Sequence, residues 1–418
     1  MTYTVEQLIK NPVKRPVRRA YIKRRNASTG AYEANWFRVD KKDGINKVIS
    51  HGNVNFKIDA DKLIPNSFDI DTYSLKVMNE QGYFNSATDY RSCWFGYRDH
   101  KDTKLKIVIA MQDPNLIETG TITAFEGVIQ AVESSGDNTA SIKSASYAKK
   151  LNEYSFSDLG ISGSQTVSYI LTAIFADTRV LDFFPALNVT ISPVSNATID
   201  CDANENLKGT FWDAIKYLSE RSNSTVSVVN DTFYFGTREV VGTTAVFTFA
   251  GLGNSQDDRA ITIYDKPVYD QSGSDKLFVN VLDASSNLIG DNSWIDALTM
   301  NEGKTLTLDL KDLTSNAEKQ DLLDSYVVRF GVRRPSLKFT SPFMMFTLFP
   351  LDIIAVDSPG SKTEVNSGYY DSSLYDDGSV YDGDGSSAAI SKNDRFIIES
   401  VTYDINKWET KIFCRKLV

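Results

Sequence analysis

Gly209-Thr-Phe-Trp-Asp-Ala-Ile-Lys-Tyr-Leu-Ser-Glu-Arg221, followed by residues 226–229 and then Asp231-Thr-Phe-Tyr-Phe-Gly-Thr-Arg238, reads as a short helix that runs into a β-hairpin. Phe211, Ile215 and Leu218 recur at helical spacing, with Ala214 and Ser222 on the same side. Thr210 stands three residues before Asp213, a variant of the capping box that usually carries Glu or Gln. Asn230-Asp231 supplies the turn between two β-rich runs. Such a unit carries no chemistry of its own. It is scaffold, and the surrounding sequence continues in the same vein.

A chain of 418 residues exceeds one ordinary core, so two to four domains are expected. A hydrophobic content of 41% with 24% charged residues is that of a globular protein. The longest apolar run, 343–349, is far short of the ~20 residues of a membrane-spanning helix, so no stable membrane insertion is expected. The N-terminus lacks the basic-then-apolar order of a signal peptide, which predicts synthesis and folding in a cytoplasm. Cys93, Cys201 and Cys414 are isolated and odd in number. They predict buried or half-buried free thiols.

The net charge of −9 is unevenly spread. Residues 1–25 hold eight Lys and Arg against Glu6, a balance of +7 that leaves −16 for the rest. Arg15, Arg18, Arg19, Arg24 and Arg25 are therefore candidate partner contacts, in an arm that docks on an acidic surface. The competing expectation is that Arg18 to Arg25 alternate with Ala20 and Ile22 along the solvent face of a first strand. Sequence-general DNA binding by so acidic a body is not expected.

From Tyr21 onward, β-like runs alternate with polar turns at 34–39, 47–50, 54–58, 73–78 and 105–111. A further pair is expected at 121–132 and 139–144. Two more helices are signalled. Ser162-x-x-Gln165 reads as a capping box ahead of Val167, Ile170, Leu171, Ile174 and Phe175. Ser315-x-x-Glu318 opens a stripe of Leu322, Leu323, Tyr326, Val327 and Phe330. Strands return at 336–340, 343–349 and 353–356, and a closing hairpin is expected from 396–403 and 408–415. Between them lies a polar, Tyr- and Asp-rich stretch, 366–386. Its length marks it as a functional or disordered loop.

Catalytic chemistry finds little to stand on. The two histidines, His51 and His100, have no neighbouring metal-ligand or nucleophile motif and are expected at the surface. Gly251-Leu-Gly lacks the rest of a dinucleotide fingerprint, and no phosphate-binding loop is present. Asp376, Asp377, Asp382 and Asp384 offer hard oxygen ligands for Ca²⁺, without the spacing of an EF-hand; a solvated acidic loop is the simpler expectation. Tyr375 and Tyr381 in the same loop are candidate partner contacts, since Tyr gives large contact area at low entropic cost. No cofactor is expected, and no pair of carboxylates stands out for glycoside hydrolysis.

Several segments taken in order resemble the tail-tip or baseplate hub proteins of tailed bacteriophages. They are Ala34-Asn-Trp-Phe-Arg-Val39, Val48-Ile-Ser-His-Gly52, Ser74-Leu-Lys-Val-Met-Asn-Glu-Gln-Gly-Tyr-Phe84, Ala124-Phe-Glu-Gly-Val-Ile129, the Phe211–Leu218 helix with its hairpin, and Leu348-Phe-Pro-Leu-Asp-Ile-Ile-Ala-Val356. In the last, Leu351 stands where the family usually has Gly. The resemblance spans about residue 20 to 418; it implies a mainly β, α+β fold with two small β-barrel-type domains and helical inserts. The expected division is a basic arm (1–25), a first barrel-like domain (26–155), a helix-plus-hairpin domain (156–265) and a β-rich domain (266–418) carrying the 366–386 loop. It further implies a non-enzymatic virion protein, assembled in the host cytoplasm as a homo-oligomer, a trimeric ring. The ring would join the tail tube, through a distal tail ring, to the tape measure, spike or fibre. DNA would pass through it without lasting contact. The alternatives are a distal-tail or receptor-binding component and a tail-associated cell-wall hydrolase.

Overall fold

The computed structural model describes residues 7–8, 15–57, 71–100, 103–135, 138–237, 245–251, 261–263, 268–270, 277–282, 288–289, 304–309, 322, 336–341, 344–345, 347–357 and 394–417. The first part holds β1 (Pro16–Lys23), β2 (Phe37–Arg38), β3 (Lys41–Lys42), β4 (Ile45–Asn46), β5 (Val48–His51), β6 (Val54–Lys57), β7 (Thr72–Met78), β8 (Lys104–Gln112), β9 (Glu118–Ser135) and β10 (Thr139–Ser146). The middle part holds α1 (Ala148–Leu151), β11 (Ser164–Thr166), α2 (Val167–Ala176), α3 (Thr178–Leu181), β12 (Val189–Ser192), β13 (Thr198–Asp200), α4 (Phe211–Arg221), β14 (Thr225–Val229) and β15 (Thr232–Gly236). The last part holds β16 (Phe247–Gly251), β17 (Ile261–Ile263), β18 (Val268–Asp270), β19 (Leu277–Leu282), β20 (Leu288–Ile289), β21 (Lys304–Asp309), β22 (Ser336–Ser341), β23 (Ile353–Asp357), β24 (Asp394–Asp404) and β25 (Glu409–Lys416).

The fold is mainly β with few helices, in the α+β manner expected. Its first sheet is antiparallel, in the order β2-β1-β8-β9-β10-β7-β5. Period-2 alternation builds it. In β7, Tyr73, Leu75 and Val77 are buried while Thr72, Ser74, Lys76 and Met78 face outward. The second sheet runs β17-β16-β23-β24-β25-β22-β18, and β6 leaves the first sheet's neighbourhood to pair with β24. Both sheets stay open. Among the described residues the expected barrel-type closure does not occur.

One hydrophobic core lies between the two sheets. Ile22, Leu75, Ile107 and Ile142 from the first pack in one cluster with Phe249, Leu337, Phe396, Val401 and Tyr403 from the second. The ends of the sequence thus share a core, and burial at about 1.5–3 kcal/mol per large apolar side chain joins them. Residues 16–23, for which a basic arm and a first strand were the two expectations, form a strand with neighbours on both sides, as the second had it. The reason is Ala20 and Ile22: both are fully buried, so the strand is pinned between β2 and β8.

A second core organises the middle part. Phe211, Ile215 and Leu218 of α4 pack with Ile170, Leu171 and Ile174 of α2 and with Phe233 and Phe235 of β15. Thr210 and Asp213 form the reciprocal capping box read from the sequence. Asn230 takes a positive φ of 55° in the hairpin turn, as the Asn-Asp turn requires. The start of α2 differs from expectation. Ser164–Thr166 is tied to Thr198–Asp200 as a strand pair, so the chain is still extended there and Thr166 becomes the cap, accepting from the Tyr169 N–H. Gln165 only donates to the Ser162 carbonyl, at 3.0 Å. Of the third expected helix, Leu322 alone is described, buried in this core.

The 343–349 run was expected as a strand and is not one among its described residues. Met344, Met345 and Leu348 are fully buried, but the Met345 N–H donates to the Thr410 hydroxyl (2.7 Å) and the Leu348 N–H back to Met345 (3.0 Å). Continuous apolarity, rather than alternation, fitted it to a turn enclosed on several sides.

Candidate interaction surfaces

Strand alternation and cross-strand packing decide what each arginine of the first segment does. Arg24 is buried. Its guanidinium binds Glu33 (2.5 and 2.9 Å) and the Cys93 carbonyl, and lies 4.3 Å from the Phe37 ring and 4.0 Å from that of Tyr97. Arg25 binds Asp182 at 2.7 Å over the Tyr32 ring, and Arg19 pairs with Glu118. Arg18 lies over Trp408 and donates to the Asn406 carbonyl at 3.4 Å. Arg15 is exposed, with its carbonyl bound by the Gln112 N–H. Four of the five candidate arginines therefore tie β1 to its own fold. Tyr375, Tyr381, Asp376, Asp377, Asp382 and Asp384 lie outside the described residues.

The outer side of β1 and β8 joins cations to aromatic rings. Lys23 and Lys104 stand opposite each other in register. Lys23 and Lys106 flank the Trp36 ring at 6.0 and 4.4 Å, and Lys104 lies 4.6 Å from the Tyr32 ring. Like charges in direct opposition repel. Burial, with Lys23 and Arg25 adding to it, pulls the Lys104 ammonium down to about 8. Glu126 answers part of this charge, bonding Lys106 (2.8 Å) and the Tyr147 hydroxyl (2.9 Å).

His51 is buried, contrary to the surface position expected from its turn-like sequence. Its Nδ1 lies 2.7 Å from the Tyr73 hydroxyl, and its backbone N–H donates to the Asn406 side chain at 3.1 Å. Burial, and then the Arg18 charge, push its pKa down to about 4. It is a neutral structural residue. His100 pairs with Asp99 at 2.5 Å and sits edge-on to Trp94. The three cysteines are free, two of them buried. Among the described residues, no group of three or more His, Cys, Asp or Glu is placed to hold a metal ion.

Two exposed apolar features were missed in the sequence. The first is the apex between β8 and β9. The buried Asp113 carboxylate accepts the N–H groups of Asn115 and Ile117, each at 2.8 Å, and so fixes a tight turn. This turn leaves Leu116 61% and Ile117 55% exposed, with Leu116 at φ 65°. Asp113-Pro114-Asn115 is the turn signal that could have revealed it. The second is a shallow, mixed cleft at the other end of the sheet, where exposed Ile45 (58%) and Met78 lie with Tyr83 among Lys42, Asp43, Glu80, Gln81 and the buried Lys47. Lys47 pairs with Glu80 at 2.5 Å, and Lys42 lies 4.5 Å from the Tyr83 ring.

No protein-family model and no curated protein matches this sequence. Among solved structures, the chain is similar to a tail protein from Neisseria meningitidis, at 10% identity and a TM-score of 0.51, over 95% of this chain and 96% of that one. It is also similar to a prophage tail protein from Listeria monocytogenes (12% identity, TM-score 0.48, 95% and 94% covered). A prophage tail protein of 43 kDa from Shewanella oneidensis gives 10% identity and a TM-score of 0.49 over 95% and 98%. The first of these shows a shared fold that runs the length of both chains.

Proposed function

We propose that this chain is a structural subunit of the tail of a bacteriophage or phage-derived particle, and that it works there without catalysis as a hub-type ring component. The observation that carries this reading is the fold shared end to end with the Neisseria tail protein. The ordered resemblances to hub proteins in the sequence point the same way. In this reading three copies close a ring at the tail tip, between the tail tube with its distal ring and the tape measure, spike or fibre. The −9 chain suits a channel wall that DNA passes without adhering, because like charge repels phosphate.

A receptor-contacting role at the distal tail is the second reading, favoured by one feature. The ordered stretch between β7 and β8 leaves Tyr90 and Phe95 exposed, with Arg91 stacked 5.7 Å from the Tyr90 ring. Immunogold labelling of tailed particles with an antibody to this chain, together with light scattering of the purified protein, tests both. Label at the tail tip and a trimer mass are expected. Label absent from the particles would overturn the structural reading. Label on peripheral fibres would replace it with the second.

A further inference from the structure

An open edge remains at β12. The strand pairs with β15 in the sheet β12-β15-β14, and among the described residues no strand lies on its other side. The opposite edge of this sheet, β14, is buried at all but its last residue. Strands at other sheet edges carry charge, which discourages pairing with foreign chains: Arg38 in β2, Asp200 in β13 and Asp270 in β18. Residues 183–199, which contain β12, hold no Asp, Glu, Lys or Arg. The strand is also anchored at both ends. The Asn188 amide donates to the Asp231 carboxylate at 3.0 Å, and beyond Pro193 the Val194 N–H donates to the Ser224 hydroxyl at 2.9 Å. The edge is therefore preformed and has no charge to guard it.

The side chains along this edge follow a self-matching order. Val189 and Ile191 are half-buried against the core of the middle part, while Thr190 and Ser192 are exposed. Read outward from Thr190 in either direction, the residue classes repeat: β-branched at 189 and 191, polar at 188 and 192, apolar at 187 and 193, apolar again at 186 and 194. In antiparallel pairing, residues directly opposite share a face. A two-fold axis through Thr190 therefore sets Thr190 against itself, Val189 against Ile191 and Asn188 against Ser192. Half-buried side chains meet half-buried ones, and exposed polar ones stay outward. Such an axis also places like beside like, which a charge here would forbid. The uncharged, two-way order singles out a second copy as the strand that fits.

We propose that β12 of one copy pairs antiparallel with β12 of a second about a two-fold axis at Thr190, joining their two sheets into one. Leu187, 90% exposed, then comes over the Pro193–Val194 end of the other copy, where Val194 is 46% exposed, and both leave water. The contact goes beyond the tail reading and does not rest on the ring: a two-fold joins chains in pairs, and combined with a three-fold ring it sets two rings back to back. Strands of 4 residues cover far less than a standard interface, so the pairing is weak and grows with concentration. Its effect is to close, among free subunits, an edge whose backbone would otherwise template other chains.

The test uses the full chain, with Thr190→Lys and Thr190→Glu made separately. Thr190 is exposed, so both variants are expected to melt with the parent. Each alone sets like charge against like across the axis and is expected to self-associate about ten-fold more weakly, or worse, by sedimentation equilibrium. An equimolar mixture of the two is expected to recover the parent's association. The companion variant is Thr190→Cys with Cys201→Ser, which removes the thiol that is not buried. On oxidation it is expected to form a disulfide-linked dimer. A parent chain that stays monomeric up to its solubility limit would overturn the pairing. So would unchanged association of both charged variants with no Thr190→Cys dimer; a trimer mass in that case would leave the ring reading intact. Charged variants that associate like the parent but no longer enter tailed particles would assign the edge to a strand of a different tail protein, and the self-pairing would fall.

Discussion

The guanidinium of Arg18 lies 5.4 Å from the centre of the Trp408 ring, so that the first strand of the chain is clasped to its last hairpin. Asn406 completes the clasp: its carbonyl accepts from Arg18, while its side chain exchanges hydrogen bonds with the backbone of His51. Arg18→Ala removes the stacking and one hydrogen bond. A loss of about 1–2 kcal/mol is expected, read as an earlier urea midpoint. Arg18→Lys keeps the charge without the plane and should recover less than half of it. Full recovery by lysine would show that charge alone holds the clasp.

Gly127 lies where β9 passes closest to β10. A Cβ built there would stand 2.1 Å from the Ala145 carbonyl oxygen, a backbone atom that cannot swing aside. Gly127→Ala is expected to cost at least ~3 kcal/mol or to abolish soluble expression, since overpacking here must move a strand. Gly44→Ala is the control. No atom approaches a Cβ at that position, and only its φ of 79° opposes the change, for about 1 kcal/mol. Equal effects of the two substitutions would show that the close strand approach is not what demands glycine at Gly127.

The legibility of this fold follows where its signals were local. Alternation marked β7, β8, β10, β24 and β25, and the Thr210 cap and Asn230 turn marked the helix and hairpin of the middle part. What stayed hidden depends on distant partners. That His51 is buried rests on Tyr73 and Asn406, the latter 355 residues away. Similarly, β6 is an isolated short run until its partner β24 is known. The Leu116 apex was hidden for a different reason: aliphatic side chains in a sequence predict burial, and only the turn built by Asp113 turns them outward.

Two titrating groups oppose each other in the acid range. Burial pushes the Asp352 carboxyl up to about 6 from an ordinary 3.8, even though it accepts the Phe349 N–H at 2.7 Å. A raised acid favours the folded state below its unfolded pKa, and that advantage is lost as pH rises through about 6. His51 has the reverse sign. Its pKa is pushed down to about 4, so the stability it gives is present above 6.5 and is lost as pH falls toward 4. Each is worth about 3 kcal/mol at the ends of its window, so the two largely cancel between pH 4 and 6.5. Asp352→Asn should therefore raise stability at pH 8 by about 2–3 kcal/mol and uncover a steeper loss on acidification. Parallel pH–stability curves for parent and variant would refute this assignment.

Leu351 occupies the position at which the resembling hub sequences usually have glycine, and its backbone explains why they do. It takes φ 79°, in a turn where its N–H donates to the Ile398 carbonyl (2.9 Å) and the Asp352 carbonyl accepts from Ile398 (2.9 Å). Leucine in this conformation costs about 1–2 kcal/mol, yet the side chain is buried in the second core, beside Ile397. Burial of a leucine contributes about 1.5–3 kcal/mol, and emptying its site adds a cavity cost. Leu351→Gly is therefore expected to destabilise the chain by about 1–2 kcal/mol net, less than the ~3 kcal/mol or more of an ordinary buried leucine truncation. Leu351→Ala keeps most of the strain and loses nearly all of the burial, so it should be worse than glycine. That inversion of the usual order of alanine and glycine is what equilibrium unfolding of the two variants would check. An alanine variant more stable than the glycine one would show that the turn does not hold its left-handed conformation in solution.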